Sequence, residues 1–143
     1  MRAASIVMVA AMLLFSGTMA TPASAQQPKA IDCTNAVNQM EMGYCAEKDF
    51  QAADSKLNEY WKPARQAAIA RDQELQGDDK GAEKALLAAQ RAWIAYRDAT
   101  CVAEGFAMRD GSAEDMTVSM CKTRLTQQRT KDLKAYADSL KQK

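Results

Sequence analysis

From Asn38 to Leu75 the chain returns apolar residues at every third or fourth position: Phe50, Ala53, Leu57, Tyr60, Trp61, Ala64, Ala68 and Leu75. That period gathers them on one face of a long α-helix, and Asn38-x-x-Glu41 ahead of them is a capping-box pattern. Pro63 falls inside the run. It lacks an N–H and its ring clashes with the carbonyl four residues back, so it is expected to kink the helix near Glu59 to Lys62 or to split it. Gly77-Asp78-Asp79-Lys80-Gly81 then ends the pattern and is expected to supply the caps of the next helix.

A second stripe runs from about Ala82 to Glu104 through Leu86, Leu87, Ala89, Trp93, Ile94 and Cys101, with Gln90 and Arg97 on the same face. Gly105 and Asp110-Gly111 interrupt it. Ser112-x-x-Asp115 is a second capping-box signal, for a third helix whose inner positions are Cys121, Leu125, Leu133, Tyr136 and Leu140, with Arg129 between two of the leucines. No β-branched alternation of useful length occurs. The pattern predicts an all-α domain, a small antiparallel three-helix bundle with two disulfides.

The first residues follow different rules. Arg2 precedes an apolar run from Ala3 to Phe15 and a small-residue stretch ending Ala23-Ser24-Ala25, the form of a secretory signal with an A-x-A cleavage site. Residues 1–25 are therefore read as a signal peptide cleaved after Ala25, residues 26–37 as a leader containing Pro28, and residues 38–143 as the helical domain. The apolar run is shorter than the ~20 residues of a membrane span, so no membrane insertion is expected. Ile31-Asp32 before Cys33 lacks the small residues of a lipid-anchor site. The expected location is periplasmic or secreted.

Charge narrows the partners. The chain carries 19 basic and 18 acidic residues, and Arg2 is the one charge of the leading segment, so the remainder is neutral. No field of one sign recommends nucleic acid. The absence of histidine removes the commonest general base and metal ligand. All four cysteines, Cys33, Cys45, Cys101 and Cys121, lie beyond the signal, and an even count in an exported chain reads as two disulfides. A zinc site is the competing reading, but no C-x-x-C pair supports it. With the thiols oxidised and no nucleophile, base or phosphate-binding motif among the carboxylates, the chain is read as a non-enzyme without metal or cofactor.

Reach decides the disulfide pairing. Cys101 and Cys121 each stand ten residues from Gly111, so a helix hairpin turning there brings them to one height. Cys33 and Cys45 would be about 18 Å apart on one continuous helix, against the ~6 Å a disulfide allows. Residues 33–37 must then fold back along the start of the first helix.

Cys33, Gln39-x-Glu41-Met42, Cys45, Ala53-Asp54-x-x-Leu57-Asn58-x-Tyr60, Gln90-Arg91-x-Trp93-x-x-x-Arg97-Asp98-x-x-Cys101, Gly111-Ser112 and Cys121-x-x-x-x-Thr126-x-x-Arg129-x-x-x-Leu133 together resemble the LprI-like lysozyme-inhibitor domain. The resemblance spans nearly all of the chain beyond the signal. It implies an exported binding protein that inhibits lysozyme-type muramidases by occluding their cleft; a non-catalytic cell-envelope interaction or stability module with a different partner is the alternative.

Two groups of residues are candidates for function. Asp54, Arg97 and Arg129 match the family motifs on otherwise apolar stripes, and are read as a structural ion-pair cluster that locks the helices in register, because a buried charge needs a partner. Trp61 and Trp93, at helical spacing, are read as core. The segment 105–116 carries Phe106, Met108, Asp110, Glu114 and Asp115 above the proposed Cys101–Cys121 bridge. A loop clipped at its base loses less entropy on binding than a free one, which marks it as the partner-binding loop.

Overall fold

The computed structural model describes residues 30–142, which form three α-helices: α1 (Gln39–Glu74), α2 (Ala82–Gly105) and α3 (Glu114–Lys141). The expected signal peptide, and most of the leader's first residues, lie outside the described residues. α2 runs antiparallel to the other two helices, so α1 and α3 lie parallel: Gln39 meets Met116, Glu47 meets Ser119, and Arg97 of α2 bonds both Asp54 and Thr126.

Each helix begins for a traceable reason. Asn38 caps α1, its Oδ1 accepting the Glu41 N–H at 2.9 Å, while Glu41 Oε2 accepts the N–H of Val37 instead of that of Asn38. The box is thus displaced by one residue but satisfies the same kind of orphan donor. Pro63 does not split α1, which continues through it to Glu74. Pro63 is exposed, as is Glu59, the residue whose carbonyl loses its helical donor there.

The caps of α2 and α3 differ from the sequence expectation. Gly81, at φ +140°, is the N-cap of α2 and offers no side chain. The cap comes from Asp72 on α1, whose carboxylate accepts the N–H groups of Gly81, Ala82 and Glu83 at 2.8, 2.8 and 3.0 Å. Three backbone donors hold that carboxyl below its ordinary range. At α3 the N-cap is Ala113 with no side-chain bond, so Ser112 does not cap.

The core is divided along the bundle axis. Toward the α1 C-terminus, Leu57, Ala64, Ala68, Leu86, Leu133 and Ala137 are buried together, flanked by Tyr60, Trp61, Trp93 and Tyr136. Alanines on α1 let α3 approach closely, and burying the leucines stabilises by about 2 kcal/mol each. On the α2 stripe Ala89 and Ile94 are exposed, contrary to expectation, because α2 tucks only a narrow face against its neighbours.

The opposite end has few large buried side chains and is held by two disulfides instead. Cys33–Cys45 has a Cα separation of 5.5 Å and Cys101–Cys121 one of 5.4 Å. Asp32 helps the fold-back before Cys45 by accepting from Thr34 N–H and Asn35 Nδ2. Gly105 is buried where α2 meets α3; a Cβ there would stand 2.7 Å from Val118 Cγ2, so the close approach beside the second bridge requires glycine.

Candidate functional site

Between the apolar half and the disulfide end lies a polar layer built on Arg97. Its side chain is 9% exposed, and Nε donates to Asp98 Oδ1 at 2.9 Å while Nη1 donates to Asp54 Oδ1 at 3.2 Å. Nη1 also reaches the hydroxyl of fully buried Thr126 at 3.4 Å, tying α2 to α3 as well as to α1. The guanidinium stands 5.1 Å from the ring centroids of both Phe50 and Trp93.

Arg129 is not part of that ion pair. Its Nε donates to Gln90 Oε1 at 3.0 Å, and its guanidinium lies 5.9 Å from the Trp93 ring. Of the three expected charges, Asp54 and Arg97 pair, with Asp98 as Arg97's second carboxylate, and Arg129 joins them only through the Trp93 ring. Arg129 is served instead by the Gln90 amide and the Trp93 face, while Asp54, 41% exposed, answers Arg97. Trp93 is half-buried within this layer, and Trp61 is half-buried against the apolar core.

The segment after α2 is short and internally bonded. Phe106–Met108 form a single 3-10 turn, Arg109 N–H donates to Phe106 C=O, Gly111 N–H to Met108 C=O and Glu114 N–H to Gly111 C=O. Asp110 takes φ +62°, a left-handed conformation that aspartate tolerates better than most residues. Phe106 and Met108 are 57% and 49% exposed. Arg109 folds back over the Phe106 ring, 4.6 Å from its centroid, and pairs with Glu114 Oε1 at 2.7 Å.

These bonds divide the expected loop residues. Phe106, Met108, Asp110 and Asp115 face solvent. Glu114 opens α3, is half-buried, and is engaged by Arg109.

Sequence reasoning missed the neighbouring surface. The parallel N-terminal turns of α1 and α3 leave a cleft of about 540 Å³ that includes Met40, Tyr44, Ser112, Asp115 and Met116. Met40 is 75% exposed. The available signal was that Met40 and Tyr44 lie ahead of the apolar stripe that begins at Phe50, on a helix whose buried face was already accounted for. These exposed apolar side chains adjoin the 105–116 segment.

Among the described residues no helix is long and apolar enough to cross a membrane. No solved structure matches the chain. An uncharacterized protein of Rhizobium meliloti (strain 1021) is 47% identical over 121 residues, covering 82% of this chain and 86% of that protein. The family model described as lysozyme inhibitor LprI matches residues 32–133, from the fold-back ahead of Cys33, across the Arg97 layer, to Leu133 in the core. With that match over more than half its length, the chain belongs to the LprI lysozyme-inhibitor family.

Proposed function

We propose that this protein is an exported inhibitor of lysozyme-type muramidases that works by occluding the enzyme's cleft with the segment 105–116. Membership in a family of inhibitors, not catalysts, supports the activity. The observation that carries the site is the exposed Phe106 and Met108 pair on a turn closed at its base by Cys101–Cys121. The turn's own hydrogen bonds and the Arg109–Glu114 pair hold it in shape before any partner arrives, so little conformational freedom is lost on docking. Exposed Asp110 and Asp115 add negative charge at the rim, which speeds encounter with a basic enzyme.

Met40 and Tyr44 extend the contact surface across the α1–α3 cleft. The proposal includes cleavage of residues 1–25 after Ala25, a leader 26–37 and an inhibitory domain 38–143. In a turbidity assay of lysozyme on cell walls, the purified protein slows clearing in proportion to its concentration. Unchanged clearing at micromolar excess over lysozymes of several types would refute the proposal.

A further inference from the structure

A groove lies between α1 and α2, apart from the 105–116 loop. Its volume is about 420 Å³, within the range that holds small ligands. α1 contributes half-buried Trp61 to its lining, and α2 contributes half-buried Leu87 and Ile94, the latter exposed despite lying on the expected inner stripe of α2. A large apolar side chain on a helix that had a core to face, left instead at a groove edge, is available to a ligand.

Each helix also contributes an amide with a free valence, Asn58 on α1 and Gln90 on α2. Gln90 is nine-tenths buried, and its Oε1 accepts from Arg129 while its Nε2 has no acceptor among the described residues. Among the described residues no fully enclosed side-chain polar atom lacks a partner, so Gln90 Nε2 is not fully enclosed, and Gln90 lines the groove. Asn58 donates its Nδ2 to Asp54 Oδ2 at 3.3 Å, which leaves its Oδ1 as an acceptor on the same side. The groove thus presents a donor and an acceptor beside carbon surface on both helices.

Charge selects among ligands. Arg97 is already answered by Asp54 and Asp98, and the exposed Arg91 adds only a solvated positive charge at the edge. A carboxylate or phosphate ligand would compete with two carboxylates already in place for the one buried cation. A pyranose suits the groove better: its C–H face packs on an indole and an aliphatic side chain, and its hydroxyls donate and accept at once.

We infer that the α1–α2 groove binds a neutral saccharide, with Trp61 and Ile94 against the sugar face and Gln90 and Asn58 on its hydroxyls. The test uses the full chain with cellotetraose and chitotetraose as neutral probes and tetragalacturonate as an acidic one, read by calorimetry and indole fluorescence. At least one neutral probe gives saturable binding that perturbs indole emission. Asn58→Ala and Ile94→Ala, both at exposed positions where folding is little affected, each weaken it about tenfold, the weight of one well-made contact. Phe106→Ala leaves it unchanged, so the result does not depend on the lysozyme reading. Absence of saturable binding to either neutral probe, binding of tetragalacturonate alone, or neutral binding untouched by both groove substitutions would each overturn the inference.

Discussion

Replacing Arg97 with alanine tests what the polar layer contributes. The contacts with Phe50 and Trp93 count for about 1 kcal/mol each at this depth. The bonds to Asp54 and Asp98 are discounted to about 0.5 kcal/mol each, because both carboxylates are nearly half exposed and water screens them. Loss of the packed stem, and of the hydrogen bond to the buried Thr126 hydroxyl, adds about 2 to 3 kcal/mol together. Against these stands the cost of burying a guanidinium, about 2 to 3 kcal/mol, which the alanine variant no longer bears. The net expectation is a loss of about 3 kcal/mol, or roughly 10 °C in melting temperature for a domain of this size. Arg97→Met keeps the stem packing and recovers more than half of the loss. Asp54→Asn costs less than about 1 kcal/mol, because water replaces the carboxylate at a half-exposed site. Urea titrations with thermal melts measure all three. If Asp54→Asn costs as much as Arg97→Ala, the ion pair and not the aromatic packing carries the layer, and the reasoning fails; an Arg97→Ala loss under about 1 kcal/mol would refute it as well.

At the loop, Phe106→Ala weakens inhibition about tenfold or more with the melting temperature nearly unchanged, as a paired inhibition constant and thermal melt will record. Asp110→Asn is the better charge test than Asp110→Ala, since asparagine also accepts φ +62°; it slows association, most visibly at low salt in stopped-flow binding. Cys101→Ser with Cys121→Ser lowers stability by about 3 kcal/mol in the chain-entropy model and reduces inhibition further than the stability loss explains, because the turn loses its clip. The Asp72 carboxyl is depressed on folding, so its stabilisation is present above the ordinary aspartate range and is lost as pH falls through the lower folded value. Melting temperature should therefore decline below about pH 4, and Asp72→Asn should flatten that limb without abolishing it, because Asp32 and Asp138 are shifted the same way.

The helices were legible because their signals are local. A stripe at helical spacing names its own inner face, and Leu57, Ala64, Ala68 and Leu133 are buried as that spacing requires. The Cys101–Cys121 pairing was legible for a geometric reason, the equal distance of both residues from Gly111. What failed were attributions that depend on where one helix lies against another. Asp72 caps α2 from nine residues before Gly81, and a search beside the helix start could not find it. Arg129 was grouped with Asp54 because both match the family motifs, yet they lie on helices whose facing residues are set by the bundle register, which places Gln90 against Arg129. Ile94 shows the same limit: periodicity says which side of α2 is apolar, and only the packing says how wide a face the neighbours cover.

The two ends of this bundle solve the same problem by different means, and that difference is why the loop and the polar layer have different roles. A small domain has too little interior for a core along its full length. Here the apolar contacts are spent on the half from Leu57 onward, and the disulfide half is held by covalent links that demand no large buried side chains. Residues at the stapled end are thereby released from packing: Met40, Tyr44, Phe106 and Met108 can remain exposed without loosening the fold. The Arg97 layer has the opposite constraint. It sits where the apolar core stops, and a fork that must satisfy Asp54, Asp98 and Thr126 at once admits one register of three helices, where an all-leucine seam would admit several. A substitution in that layer should then shift the fold first and inhibition second, whereas one in the loop should do the reverse. That ordering follows from where the covalent links and the apolar contacts lie.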